Sequence, residues 1–167
     1  MHQINLKLDL AREKDLKLVS NLAAQIWKTH YTPIIGEAQV NYMLKKMYNP
    51  QSLLEQIQQK NHIFYLIKVN DKSIGFISVN SEQEDSWFLN KFYILEDKAA
   101  TGMGTVAFEK LKKIIQPKKI TLTVNRQNYK SINFYFKNNF TIDHVADFDI
   151  GDGYVMNDFV MVWKNQM

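Results

Sequence analysis

The chain contains no cysteine, which excludes a disulfide scaffold, a Cys-ligated zinc or iron–sulfur centre and a cysteine nucleophile in one step. Cytosolic residence fits that absence, and a cytoplasmic location is the expectation. No stretch approaches the roughly 20 consecutive apolar residues of a membrane-spanning helix. The opening MHQINLKLDLAREKDLK carries charges every few residues and lacks the apolar run of roughly 7–15 residues that a signal peptide needs. Neither a signal peptide nor a membrane partner is expected. With three prolines and six glycines the chain also shows no linker, low-complexity tract or internal repeat. What remains is 167 residues, 46% hydrophobic, 13% aromatic and 23% charged. That composition predicts one globular domain over residues 1–167, with a core able to bury roughly 70% of the unfolded chain's surface.

The net charge of +4 invites a polyanion, but the charges are segregated. Between Lys110 and Ile142 stand eight basic residues (Lys110, Lys112, Lys113, Lys118, Lys119, Arg126, Lys130, Lys137) and no acid. Between Asp143 and Asp158 stand five acids (Asp143, Asp147, Asp149, Asp152, Asp158) and no Lys or Arg. Such a chain either has two solvated faces of opposite sign or holds a polyanion at one site and a cation at another.

Ile4, Leu6, Leu8 and Leu10 alternate with polar residues, which predicts a half-buried edge strand. From Lys14 to Lys28, Leu16, Val19, Leu22, Ala23, Ile26 and Trp27 recur every three or four positions, an amphipathic helix that ends before Tyr31–Thr32–Pro33. A loop with Pro33 and Gly36 follows. A second helix then carries Val40, Met43, Leu44 and Met47, and a third opens at Pro50. IFYLIKV and IGFISVN predict an antiparallel hairpin about Asn70–Ser73, followed by a polar loop over Ser81–Ser86. Trp87–Leu95 reads as a strand that turns through LEDKAATGMGT into a helix with Val106, Phe108, Leu111 and Ile115. Ile120–Asn125 is another strand, Asn128 caps a helix with Ile132, Tyr135 and Phe136, and Asn138–Asn139 ends it. Two last strands, near Phe140–Phe148 and Tyr154–Trp163, flank IGDG. The order β-ααα-ββ-β-α-β-α-β-β predicts an α/β fold, an α+β arrangement with one mixed sheet.

The segment FYILEDKAATGMGT carries the most chemistry. A strand that turns into a helix through Gly102 and Gly104 leaves unpaired backbone N–H groups at the positive end of the helix dipole. That is an anion cradle, and two glycines let the backbone approach a phosphate with no Cβ in the way. The alternative is a tight helix cap without a ligand. No Lys-Ser/Thr follows Gly104, so this is not a P-loop, and Ala107 stands where the dinucleotide fingerprint needs a third glycine. Further on, in TVNRQNYKSINFYFKNNF, Asn125 and Asn128 suit an extended amide-rich ligand, with a plain helix cap as the alternative for Asn128. Tyr135 offers a phenol, and on pattern alone it reads as a buried core residue.

Together the element order and these two segments resemble the GNAT family of N-acetyltransferases. AATGMG (Ala99 to Gly104) matches both glycines of the family's Arg/Gln-x-x-Gly-x-Gly/Ala signature, with Ala99 in place of Arg or Gln. NYKSINFYFKNNF (Asn128 to Phe140) matches Asn-x-x-Ala-x-x-Phe-Tyr-x-x-x-Gly-Phe at Asn128, Phe134, Tyr135 and Phe140. Ser131 replaces Ala, and Asn139 replaces Gly at a left-handed backbone position. The resemblance is well defined over residues 60–163 and looser before them. IWKTHYTPIIGEAQVNYMLKKMY and DFDIGDGYVMNDFVM resemble the bacterial polyamine acetyltransferases of the PaiA type.

The resemblance implies a mostly antiparallel central sheet flanked by helices, acetyl-CoA as co-substrate, and acetyl transfer to a primary amine such as a polyamine by direct attack in a ternary complex. Backbone at Phe92, Tyr93 and Ile94 would contact the pantetheine and the acetyl carbonyl. The turn from Ala99, Ala100 and Thr101 through Gly102, Met103, Gly104 and Thr105 would hold the pyrophosphate. Asn125, Asn128, Lys130 and Lys137 would complete the coenzyme side. Tyr135 becomes the general acid, a phenol with a pKa of about 10 facing a thiol of about 8.5, and the Ile94 backbone N–H meets the oxyanion. The base is not identified; Glu37, His30 and Asp149 are candidates, directly or through water. Trp27, His30 and Tyr31 resemble the family's acceptor-lining part, with Glu37 and Asp149 beside them, and no metal is expected. The basic stretch overlaps the coenzyme segments, and the acidic stretch would attract a cationic amine. Exposed strand edges near the C-terminus would suit a homodimer. The alternative class is a non-catalytic coenzyme A- or nucleic-acid-binding module on the same fold, with Tyr129, Phe134 and Phe136 beside the basic residues. The five neighbouring acids would repel phosphate, so nucleic acid is not expected as a partner.

Overall fold

The alternating segment Leu6–Leu10 forms strand β1 at one edge of the sheet. The computed structural model describes residues 4–99 and 101–166. One 3-10 turn at Glu13–Asp15 leads into α1 (Leu16–His30), whose stripe of Leu16, Val19, Leu22, Ala23, Ile26 and Trp27 is buried as its spacing predicts. Where the sequence predicts a loop around Pro33, the chain makes one further helical turn, α2 (Thr32–Ile35). Proline suits a first helical turn because no acceptor awaits the N–H it lacks, and Gly36 at φ +85° ends the turn. Helices α3 (Glu37–Met47) and α4 (Pro50–Lys60) follow, the latter capped by Asn49, whose side chain accepts the Ser52 N–H at 2.8 Å.

Strands β2 (Ile63–Val69), β3 (Lys72–Gln83) and β4 (Ser86–Ile94) form a meander. The polar residues after Asn80 remain in β3, contrary to the predicted loop. Ser81 pairs with Trp87 and Gln83 with Ser86, so the ladder satisfies their backbone whatever their side chains. Nor does β4 turn straight into the glycine-led helix. A short α5 (Glu96–Ala99) intervenes before α6 (Met103–Ile115). Then come β5 (Lys119–Asn125), α7 (Tyr129–Lys137), β6 (Thr141–Gly151) and β7 (Tyr154–Lys164), with Asn139 in the left-handed region at φ +68°.

The sheet runs β1-β2-β3-β4-β5-β7-β6. Its neighbours are antiparallel except β4 and β5, which pair in parallel through Ser86–Lys119, Trp87–Ile120 and Phe88–Thr121 and then diverge. Past Phe88 the facing backbone edges of the two strands have no partner in the sheet. A bulge at the same place re-aims the side chains of β4. Ser78 pairs with Lys91 and Val79 with Leu89, so Asn90 is an extra residue and the alternation reverses. Trp87 and Leu89 join the core beneath α6. Beyond the bulge Phe92 and Ile94 take over that face, while Lys91 and Tyr93 turn to the face covered by α1 to α4. The β6–β7 hairpin folds onto α3, where the Tyr42 hydroxyl donates to the Ile150 carbonyl at 2.7 Å and the Tyr42 and Tyr154 rings lie 5.0 Å apart. Among the described residues no helix is long and apolar enough to cross a membrane.

Candidate active site

The divergence of β4 and β5 opens a cleft of about 490 Å³. Its walls are Phe92, Tyr93 and Ile94 from β4, the start of α6 at Gly102, Gly104 and Thr105, and one flank of α7 with Lys130, Phe134, Tyr135 and Lys137. Ile26, His30 and Tyr31 at the end of α1 close the far side. Residues predicted from two separate segments therefore meet around one space.

At the α6 end, Gly102 caps the helix at φ +78°, a conformation that costs other L-residues about 1–2 kcal/mol. The first-turn N–H groups of α6 have no acceptor within their own helix and face the cleft side, so the dipole favours an anion there. Gly104 has a different reason. A Cβ at that position would lie 2.8 Å from the Phe134 ring, so α6 and α7 approach closely only because it is glycine. The Thr101 hydroxyl donates to the Lys98 carbonyl at 2.6 Å, and Met103 packs against the core. Ala100 and the side chain of Ala99 lie outside the described residues.

The basic stretch does not form one face. Lys112 pairs with Glu109 at 2.7 Å, Lys118 with Asp85 at 2.9 Å and Arg126 with Asp147 at 3.0 Å. Of its members, Lys130 and Lys137 line the cleft, and the Lys130 ammonium stands 4.0 Å from Glu96. That separation leaves the positive charge available to a bound anion.

At the α1 end the aromatic rings stack. Tyr31 lies 4.2 Å from Trp27, centroid to centroid, and 6.2 Å from Tyr93. Asn128 joins this end to α7. Its Oδ1 accepts the Ser131 N–H at 3.3 Å and lies 2.9 Å from His30 Nε2, and its Nδ2 donates to the Tyr31 hydroxyl at 3.3 Å. At 1% exposure, with these bonds made, Asn128 is a cap and a cross-link and not a ligand contact, which corrects the expectation from spacing. Asn125 likewise turns inward, accepting the Gln127 N–H at 2.9 Å. Trp27 is buried behind Tyr31 and does not line the cleft. Glu37 is exposed in the first turn of α3, and Asp149 is exposed on β6 with its Oδ1 accepting the Gly151 N–H at 2.9 Å; neither lines the cleft. Burial pushes the Tyr135 phenol well above its ordinary pKa, and burial with the neighbouring Tyr93, Tyr135 and Asp158 does the same to Tyr31.

Residues 31–148, more than half of the chain, match the acetyltransferase (GNAT) domain. The chain belongs to the GNAT acetyltransferase family. It is accordingly an acetyl-CoA-dependent N-acetyltransferase. A spermidine N(1)-acetyltransferase of Thermoplasma acidophilum is 27% identical over 158 residues, which cover 90% of this chain and 92% of that protein. The PaiA N-acetyltransferase of Thermoplasma acidophilum, solved with coenzyme A, superimposes with a TM-score of 0.79 at 24% identity, covering 96% of this chain and 99% of that one. A spermidine N-acetyltransferase SpeG chimera from Vibrio cholerae and hSSAT gives a TM-score of 0.70 at 15% identity, covering 95% of this chain and 94% of that one. At those identities the two structures speak for the fold alone.

For this GNAT enzyme the residues present suit acetyl-CoA as substrate. The first-turn amides of α6 with Lys130 and Lys137 could hold the phosphates, and the edge of β4 at Phe92 to Ile94 could pair with an amide-bearing arm. Sequence reasoning missed two residues that the fold makes conspicuous. Asp158, 5% exposed, lies on a strand between Val160 and Met156, and Lys91, 4% exposed, lies within WFLNKFYIL. A charged residue inside an apolar run is the signal that marks both, since acids and lysines are almost never fully buried without cause.

Proposed function

We propose that this enzyme transfers the acetyl group of acetyl-CoA to a primary amine of a small polycation of the spermidine class, by direct attack in a ternary complex. The observation that carries the reading is the two-ended cleft. The start of α6 with Lys130 and Lys137 of α7 lines one part of it and Tyr31 and Tyr93 another, while Asp147, Asp149 and Asp152 lie on the β6–β7 hairpin outside the lining. An anionic donor and a cationic acceptor would each be drawn to its own end. The spermidine acetyltransferase relative from Thermoplasma acidophilum, aligned over 90% of this chain, supports the acceptor class.

In this reading the ammonium, with a pKa of about 10.4, first loses a proton. The freed lone pair forms the N–C bond at the thioester carbonyl, whose oxygen gathers negative charge and is met by the Ile94 backbone N–H. As the C–S bond breaks, the electron pair leaves on sulfur, Tyr135 supplies it with a proton, and the second proton lost by the attacking nitrogen restores the phenol. Burial keeps the Tyr135 phenol protonated across the working pH range, which a proton donor requires. Thiol release is the direct test, with acetyl-CoA and spermidine, spermine or a lysine-containing peptide as acceptor. Spermidine and spermine should give a higher kcat/KM than the peptide; the reverse order would remove polyamines as the substrate class.

A further inference from the structure

Amine acetylation needs a group that takes the first proton from the acceptor ammonium. Of the three candidates from spacing, Glu37 and Asp149 lie outside the cleft and His30 lines it. Among the described residues the other titratable side chains in the lining are Glu96, Lys130, Lys137 and three tyrosines, Tyr31, Tyr93 and Tyr135. Burial holds all three phenols well above their ordinary pKa, so they stay protonated and are poor proton acceptors. Glu96 stands with Lys130 and Lys137 at the coenzyme end, 4.0 Å from the Lys130 ammonium. His30 stands at the other end, on the last turn of α1.

The bond from His30 to Asn128 makes the imidazole available instead of occupying it. The Asn128 atom 3.3 Å from the Ser131 nitrogen meets a backbone N–H, which can only donate, so that atom is the amide oxygen and the side chain cannot be turned round. Asn128 Nδ2 then donates to the Tyr31 hydroxyl at 3.3 Å, in agreement. His30 Nε2 lies 2.9 Å from the same oxygen and must therefore be the donor. A neutral imidazole carries one N–H, so with the proton on Nε2 the lone pair is on Nδ1. No described residue hydrogen-bonds Nδ1, and that atom is not closed off from solvent. The arrangement is held on both sides, since Asn128 is 1% exposed and the Tyr31 ring meets the imidazole edge-on at 4.8 Å.

We propose that His30 Nδ1 takes the proton released by the acceptor ammonium, and that Asn128 is the positioning residue that keeps Nδ1 unprotonated and facing the task. The inference rests on the amine-acetylation reading above. One N–H bond of the ammonium breaks, its electron pair stays on nitrogen, and an N–H bond forms at Nδ1. The imidazolium keeps its Nε2–H on the Asn128 carbonyl oxygen, a bond that strengthens when the ring is charged. The neutral amine attacks, the thiolate leaves with the proton of Tyr135, and the second proton from nitrogen restores the phenol. His30 returns its proton to solvent after product release. One proton is released per turnover.

The test compares thiol release with spermidine in the wild type and in His30→Gln, whose side-chain amide can still donate to Asn128 but offers no basic nitrogen. At about pH 7 the variant's kcat should fall roughly 10²- to 10⁴-fold, while acetyl-CoA raises the unfolding temperature of both proteins alike. The gap should narrow as the pH approaches about 10, where the amine arrives already neutral. An unchanged kcat at neutral pH, or a gap equally wide at both ends of that range, overturns the assignment and leaves the polyamine reading standing. If the wild type acetylates only the lysine-containing peptide, the polyamine reading falls and the same comparison decides the base with the peptide as acceptor. A wild type that acetylates neither overturns both. The ¹⁵N-histidine spectrum reads the part of Asn128, and it decides should His30→Gln not fold. The His30 ring should carry a proton on Nε2 that is protected from exchange in the wild type and lost to exchange in Asn128→Ala. A neutral ring protonated on Nδ1, or an Nε2 proton that exchanges equally fast in both proteins, overturns the proposal.

Discussion

The two faces of the sheet solve different problems. Beneath α6 and α7 the core is apolar, with Phe108, Leu111, Ile120, Leu122, Phe140 and Met161 fully or almost fully buried. The site elements it carries lie close together in sequence, and they act largely through backbone groups. Beneath α1 to α4 the core mixes Trp27, Tyr31, Tyr48, Phe76 and Tyr93 with the buried side chains of Gln56 and Lys91. There the contacts join residues far apart, as His30 and Tyr31 reach Asn128 across 98 and 97 positions. In the proposed reading, the co-substrate is held by local backbone geometry, whereas the acceptor meets side chains that only tertiary structure assembles.

The largest effect should come from the titrating group on the apolar face to which the proposed chemistry assigns a proton. Tyr135 is 8% exposed and packs edge-on against Phe134 and Phe140 at 5.4 and 5.3 Å. Tyr135→Phe keeps those contacts and removes a hydroxyl. We expect kcat to fall roughly 10²- to 10⁴-fold with acetyl-CoA binding unchanged, measured by thiol release and by thermal shift. An unchanged kcat would make proton donation the work of solvent and reduce this face to scaffold and cradle.

Asn128 is where the two faces meet, so its replacement probes their connection. Asn128→Ala removes a helix cap and the links to His30 and Tyr31, at roughly 2–4 kcal/mol in total. In a chain of this length that lowers the unfolding temperature by roughly 5–10 °C. The same change should raise the KM for spermidine more than the KM for acetyl-CoA, because the bonds lost hold the α1 end. Equal increases would mean that the cap alone matters.

The fold was legible in periodicity because apolar alternation and helical spacing report burial one element at a time. Boundaries failed where another force decided them: the ladder drew Ser81 to Gln83 into β3, and Pro33 nucleated a turn of helix. The cradle and Tyr135 were legible for a different reason. Each belongs to a contiguous segment whose spacing matches a family signature. The burial of Asp158 was not, because it depends on the pairing of β5 with β7. A second reason for Gly104 was hidden in the same way. Its partner, the Phe134 ring, stands on another helix.

The smallest effect separates the faces by pH. Lys91, re-aimed by the Asn90 bulge, donates to Gln56 Oε1 at 2.7 Å and lies over the Tyr48 and Phe64 rings at 5.4 and 5.6 Å. Burial, helped by the charge of Lys60, pushes its ammonium down to about 7 from 10.5. Between those values the unfolded chain binds a proton that the folded one does not, so this group makes stability rise with pH across the window. Below about 7 both forms are charged and the full cost of burying the ammonium is present. Lys91→Met removes that cost but leaves the Gln56 carbonyl without its donor, a loss of roughly 1–3 kcal/mol. The net should be a gain of roughly 1–3 kcal/mol in urea unfolding at pH 6, shrinking and changing sign by pH 10. The gain at low pH should also ease His62, whose imidazole burial, Lys91 and Lys60 together push down to about 4, so that the variant loses less stability between pH 6 and 5 than the wild type. A difference in stability that is the same at pH 6 and pH 10 would place the pH dependence of this face elsewhere than in the Lys91 charge.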